Sequence, residues 1–228
     1  MLNNYDRIAS NYDLLSRLVF GKSIVRAQQS LLRHIKPHTR ILIVGGGTGW
    51  ILEEIAKIYP SGLFIDYVEI STNMLDLARK RDCKANQVRF IHTAIEDHHA
   101  AIAYDATMTP FLFDNFSTIR AAEVFQKMNI MLKKNGLWLF TDFHIDHGIN
   151  RLWQKALLRS MYIFFKNISH VEADKLPEMH RHFNENGYET IADHLHFGGF
   201  IRSAAYCKSG NCGAVSSENK PLVEYDDR

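Results

Sequence analysis

Gly45, Gly47 and Gly49 follow the apolar run ILIV (41–44) and precede residues at helical spacing. Without Cβ atoms, such a loop turns tightly and lets a ligand lie against bare backbone at the positive end of a helix. A second apolar run, LFIDYVEI (63–70), carries Glu69 about twenty residues beyond the loop, the spacing at which a carboxylate accepts hydrogen bonds from both hydroxyls of a ribose. Loop and acid together describe a nucleoside site. The dinucleotide fingerprint GxGxxG needs a small third residue for close helix packing, but counting from Gly45 places Trp50 there. The loop fits GxGxG instead, which suits a ligand without a pyrophosphate.

Histidine offers further chemistry. His144 stands after a later apolar run, in Thr141-Asp142-Phe143-His144-Ile145-Asp146-His147, and its side chain titrates in the range of a general base. Two readings stand beside each other: a base or acceptor contact, and a loop histidine holding a structural hydrogen bond. The pairs His144/His147, His180/His182 and His194/His196 invite a metal reading. Zinc takes three or four ligands with supporting partners, so no metal site is expected.

These groups need elements to position them. ILIV (41–44), LFIDYVEI (63–70), VRFIH (88–92), Tyr104 to Met108 and LWLFTDF (137–143) read as strands. Helices alternate with them. Thr48 is expected to cap the first, with Ile51, Leu52, Ile55 and Ile58 inward until Pro60-Ser61-Gly62 breaks it. Ser71 opens the next, with Met74, Leu75 and Ala78 inward, and a helix from Ser117 to Leu132 places Ile119, Ala122, Phe125 and Leu132 near one face. Lys133-Lys134-Asn135-Gly136 reads as the turn into the fifth strand. Such alternation implies βαβ units and an α/β fold with a doubly wound, mostly parallel sheet, whose ligand site lies beyond the carboxyl ends of the strands. After a helical region from about Ile149 to Asn186, ETIADHLHFGGFIRSAAYCK reads as two strands around Gly198-Gly199, adding an antiparallel hairpin strand.

Composition bounds the function. With 46% apolar and 23% charged residues, the 228-residue chain is neither disordered nor collagen-like. A net charge of +2 demands neither nucleic acid nor an anionic membrane as partner. The start, MLNNYDRIASNYD, lacks an apolar export segment, and no run approaches the roughly 18 apolar residues of a membrane span, so the expected address is the cytoplasm without integral membrane association. Cys83, Cys207 and Cys212 are read as reduced thiols. The tail 208–228 is expected to be loosely ordered or packed as an irregular appendage.

Taken in order, ILIVGGGTG, YVEIS, YDATMTPFLFD and the closing hairpin resemble the class I S-adenosylmethionine-dependent methyltransferases over about residues 4–207. The opening YDRIASNYDLLSRLVFGK is similar to the amino-terminal segment of the ubiquinone and menaquinone C-methyltransferases. The resemblance implies a Rossmann-like seven-stranded fold. It implies a methyltransferase domain at 1–207, with a helical cover segment at 1–36 and an acceptor-side helical region at 149–186. It sets Gly45, Gly47 and Gly49 beneath the methionine part and ribose of S-adenosylmethionine, and Glu69 on the ribose hydroxyls. Ile70 and Met74 would flank the adenine, Ala94 and Ile95 read its edge, Met108 and Thr109 lie beside the methionine moiety, and Tyr12 lines the pocket or packs the cover segment onto the core.

Two positions depart from the family pattern. Ile43 stands where an acid is usual, and Ala94 where Asp or Asn is usual, so the adenine amine contact falls to backbone, to Glu96 or Asp97, or to water. The implied activity is methyl transfer to a small aromatic or lipophilic acceptor by a monomer or homodimer. A nicotinamide-dependent oxidoreductase and a non-catalytic nucleoside-binding protein are the rival readings.

Overall fold

The computed structural model describes residues 9–146, 148–169, 173 and 175–209. Seven strands form one sheet in the order β3-β2-β1-β4-β5-β7-β6. They are β1 (Arg40–Val44), β2 (Ser61–Glu69), β3 (Ala85–His92), β4 (Tyr104–Pro110), β5 (Leu132–Phe143), β6 (Tyr188–His196) and β7 (Ile201–Lys208). The pairs β1–β2, β2–β3, β1–β4 and β4–β5 are parallel, and β7 runs antiparallel to both β5 and β6. This is the mostly parallel sheet with an antiparallel closing strand that the alternation implies.

The continuous apolar run of β1 follows from burial on both faces. Ile41 and Ile43 pack on one side with Leu31, Ile51, Leu52 and Ile55, while Leu42 and Val44 pack on the other with Phe113, Phe125 and Trp138. Strand order reverses between β1 and β4. Their carboxyl ends therefore diverge into connections on opposite faces and leave a crevice between them.

Seven helices cover the sheet among the described residues: α1 (Ala9–Phe20), α2 (Ser23–Leu32), α3 (Trp50–Ile58), α4 (Thr72–Ala78), α5 (Thr118–Met131), α6 (Arg151–Ser169) and α7 (Met179–Glu185). Ser71 caps α4 by accepting from the N–H of Met74, and Ser117 caps α5 from that of Arg120.

Several expectations need correction. The N-cap of α3 is Gly49 in a left-handed conformation, and the Thr48 hydroxyl is turned instead to Asp13. The buried face of α5 is Ala121, Val124, Phe125, Met128 and Met131, with Ile119 in solvent. Ile58 is half exposed. The turn at residues 133–136 falls inside β5, where the β4–β5 register jumps between Tyr104 and Ala106. Cys83 is a free thiol, whereas Cys207 is disulfide-bonded, which overturns the reduced-thiol reading there. The tail beyond residue 209 lies outside the described residues. No described helix is long and apolar enough to cross a membrane.

Candidate functional site

Residues 45–49 join β1 to α3, and β2 holds them from beside. The Gly47 N–H donates to Glu69 Oε2 at 3.1 Å, and the Ser71 N–H donates to Glu69 Oε1 at 2.9 Å. The Tyr67 hydroxyl donates to the Gly47 carbonyl at 2.9 Å. Burial, and then the charge of Glu69, push that phenol well above its ordinary range, so it remains a neutral donor.

The glycines are not equivalent. At Gly47 (φ +63°) a Cβ would meet nothing within 4 Å, so bare backbone faces open space. At Gly49 (φ +77°) it would stand 2.6 Å from the Ala78 Cβ, so this glycine serves the contact of the loop with α4. At Gly46, which the spacing argument passes over, it would stand 2.4 Å from the Tyr67 hydroxyl.

A cavity of about 450 Å³ opens from this loop into the crevice. Gly45, Gly47, Glu69 and Ile70 line one end. Met74, Ala94 and Ile95 complete that end, so seven of the expected cofactor residues are gathered in one place. Others are not. Gly49 is absorbed in helix packing, Met108 is buried in the core beneath the crevice, and the Thr109 hydroxyl accepts from Trp138 Nε1 at 3.0 Å within the sheet. Pro110 and Phe111, the next residues of that strand and its exit, reach the cavity instead. His144 donates its backbone N–H to the Phe200 carbonyl at 2.8 Å and stands away from the lining. Tyr12 belongs to α1, but its side chain lies outside the described residues.

The two departures from the family pattern have different consequences. Ile43 is a fully buried member of the core and does not reach the cavity. Ala94 does line it, and two residues on, Glu96 supplies a carboxylate. Its Oε1 accepts from Arg120 Nε at 2.6 Å, while its Oε2 is buried without a hydrogen-bond partner among the described residues. Asp97 is exposed.

The other end of the cavity is apolar. Phe20 of α1, Phe111, Phe143, and Leu157, Met161 and Phe164 of α6 enclose it. The rings of Phe111 and Phe143 lie 4.9 Å apart, and those of Phe20 and Phe143 lie 5.5 Å apart. Phe111 adopts a left-handed backbone (φ +49°), rare for a bulky residue, and its N–H donates to the Thr141 carbonyl at 2.7 Å.

Sequence reasoning missed two polar clusters here. Asp13 of α1 accepts from the Thr48 hydroxyl at 2.9 Å and from Arg81 Nη2 at 3.3 Å, which ties the covering helix to the glycine loop. Asp142, at the end of β5, accepts three backbone N–H groups. Its Oδ2 takes those of Phe113 (3.1 Å) and Asp114 (3.3 Å), and its Oδ1 takes that of Phe143 (2.8 Å). Burial pushes the Asp142 carboxyl up to about 7 despite these donors. Burial first, and the neighbouring Asp142 charge second, push Asp114 well above the usual carboxylate range. No group of three or more His, Cys, Asp or Glu side chains is placed to hold a metal ion among the described residues.

Comparison with known proteins agrees with this geometry. Residues 41–136 match the methyltransferase domain family. Over 110 residues the chain is 34% identical to the malonyl-acyl-carrier-protein O-methyltransferase of Halalkalibacterium halodurans, in an alignment covering 46% of this chain and 40% of that protein. The chain thus spans less than half the length of that curated relative. Among solved structures, magnesium protoporphyrin IX methyltransferase from Synechocystis PCC 6803, with bound S-adenosylhomocysteine, superposes with a TM-score of 0.61 at 14% identity, over 82% of this chain and 83% of that one. An O-methyltransferase family protein from Burkholderia thailandensis gives 0.65 at 17% identity, over 86% and 57%. At such identities these two likenesses establish the fold.

Fold and loop together define a Rossmann-like, class I methyltransferase architecture. Residues 41–136 match a methyltransferase domain, and the fold that carries them is shared with solved methyltransferases.

Proposed function

We propose that this chain transfers the methyl group of S-adenosylmethionine to a small lipophilic or aromatic acceptor. One observation carries the reading: a single cavity joins a bare-backbone glycine loop, with a buried carboxylate beside it, to a chamber walled by phenylalanines. The residues present fit the donor. Gly47 leaves open space where a side chain would stand, Glu69 suits the ribose hydroxyls, and the unpartnered Oε2 of Glu96 suits the adenine amine that Ala94 cannot meet.

When bound, the sulfonium supplies a methyl group on an already activated leaving group. The protein's own contribution is then orientation and exclusion of water. The glycine loop and Glu69 hold one partner, the aromatic walls hold the other, and α1 and α6 close the space between them. Apolar walls favour an acceptor with little charge. Action on a small molecule rather than nucleic acid, as a monomer or homodimer in the cytoplasm, completes the proposal.

Calorimetric titration with S-adenosylhomocysteine, run beside NAD, tests it. Binding of the former alone is expected, and NAD binding alone would replace this reading with an oxidoreductase. Replacing Glu69 by Gln keeps the shape and removes the charge. Hydrogen bonds to charged groups contribute about 1.5–3 kcal/mol, so a loss of roughly tenfold to a hundredfold in affinity for S-adenosylhomocysteine is expected.

A further inference from the structure

Asp13, Glu69, Glu96 and Asp114 are the carboxyl groups on the cavity lining among the described residues, and three of them are engaged structurally. Asp13 is held by Thr48 and Arg81, Glu69 by two backbone N–H groups, and Glu96 by Arg120. Asp114 accepts from the side-chain amide of its neighbour Asn115 (Oδ1, 2.8 Å) and meets no cation among the described residues. It keeps part of its surface open, and that surface belongs to the cavity.

Its place in the fold is fixed from three sides. The one-turn segment Phe113–Asn115 follows β4, and Asp142 on β5 clamps it by accepting the N–H groups of Phe113 and Asp114. Leu112, two residues earlier, lies so close to the glycine loop that a Cβ on Gly45 would stand 3.1 Å from it. On the other side, the Tyr162 hydroxyl of α6 donates to the Asp114 carbonyl at 3.5 Å. Asp114 therefore stands where the polar, ligand-holding end of the cavity meets its apolar chamber.

We propose that Asp114 is a catalytic residue: it takes the proton from the acceptor's nucleophilic O–H or N–H as that atom bonds to the transferred methyl group. The inference rests on the methyl-transfer reading and narrows its acceptor to lipophilic molecules with a weakly acidic O–H or N–H, of which a phenol is the simplest. In the step, a lone pair on the acceptor oxygen or nitrogen forms the new bond to carbon. The sulfur–methyl bond breaks with its electron pair staying on sulfur, and the acceptor's proton passes to the Asp114 carboxylate and then to water.

The charged and titratable groups around this carboxyl are Asp142 on β5, Tyr162 on α6, the Glu96–Arg120 pair bridging to α5, and Glu69 at the end of β2. Burial, and then the Asp142 charge, move Asp114 toward neutrality and make its carboxylate a stronger base. The ionised form is the active one, so turnover rises with pH through a limb placed above the ordinary carboxylate range.

The test measures transfer of radiolabelled methyl from S-adenosylmethionine to a panel of hydrophobic phenols and anilines, with S-adenosylhomocysteine affinity measured in parallel. Asp114→Asn is expected to lower kcat about a hundredfold and flatten the pH limb while leaving that affinity within twofold. Asp114→Glu is expected to recover part of the rate. Asp142→Asn is expected to move the limb to lower pH. That variant also weakens the clamp on the turn, so the carboxyl carbon shift of Asp114, titrated by NMR in the unaltered protein, reads the same ionisation directly. Wild-type kcat with an intact limb in Asp114→Asn overturns the proposal. So does an Asp114 titrating in the ordinary range, or an unlabelled panel despite tight S-adenosylhomocysteine binding. Absence of that binding would instead remove the methyl-transfer reading, and this inference with it.

Discussion

Two buried carboxylate centres in this protein have been built in opposite ways. Asp66, in the middle of β2, receives Arg89 at 2.8 Å on both oxygens, Arg40 at 2.9 Å and the Tyr104 hydroxyl at 2.6 Å. Although burial pushes its carboxyl up, the hydrogen bonds from Arg89, Tyr104 and Arg40 hold it below the usual range. Asp114 and Asp142, beside the cavity, have backbone and amide donors but no cation among the described residues, and both are raised. The first centre is neutralised and ties four strands together. The second leaves charge unneutralised next to a place where a ligand would sit, an arrangement that costs stability and is typical of working sites.

The contrast predicts opposite responses to substitution. The largest is at Asp66, where replacement by Ala leaves the buried Tyr104 hydroxyl and the partly buried Arg40 guanidinium without their acceptor, while Arg89, with 58% of its side chain in solvent, turns to water. A loss of about 2 kcal/mol is expected in urea unfolding, with S-adenosylhomocysteine affinity unchanged in the folded fraction. Asp114→Asn sharpens the comparison from the other side. It is expected to raise stability by about 1 kcal/mol at pH 8 and by nothing measurable at pH 4, because only the ionised carboxyl is penalised by its surroundings. Destabilisation at pH 8 would mean that Asp114 is structural like Asp66.

The unaltered protein shows the same asymmetry as a function of pH. Asp66, with a depressed folded pKa, contributes stability that is present above the unfolded value near 3.9 and lost as pH falls through the folded one. The raised Asp114–Asp142 pair binds more protons folded than unfolded, so its contribution declines as pH rises from about 4 toward about 7. Thermal unfolding across that range is expected to be steeper in the unaltered protein than in Asp114→Asn. The smallest effect is at His144. Its side chain stands away from the lining, so His144→Ala is expected to leave turnover on the acceptor panel and cofactor affinity within twofold.

The same division explains what could be read from the sequence. The glycine loop, Glu69 and the strand order around them lie in one contiguous stretch whose chemistry is local: turn, helix start, and acid at a strand end. Asp114 and Asp142 are separated by the whole of α5 and meet because β4 and β5 pair in register from Ala106↔Leu137 to Pro110↔Thr141. Nothing in their flanking residues signals the meeting. Asp13, Thr48 and Arg81 come from three elements and were illegible for the same reason.

The misreadings inside elements have local causes. Thr48 is a good capping residue, but the left-handed Gly49 moves the helix start one residue on. Ile119 is apolar but sits on the outer side of the first turn of α5, where helical periodicity allows a second phasing that burial alone decides. Gly46 was passed over because what demands it is the Tyr67 ring on another strand.

The knot of Asp13, Thr48 and Arg81 gives the covering helix a tether that water can reach, since the acid and the guanidinium keep 33% and 25% of their side-chain surface in solvent. Dissolved ions compete with such a tether far more than they disturb the backbone of the loop beneath. Added salt is therefore expected to weaken the link between α1 and the glycine loop while leaving the hydrogen bonds within the loop in place.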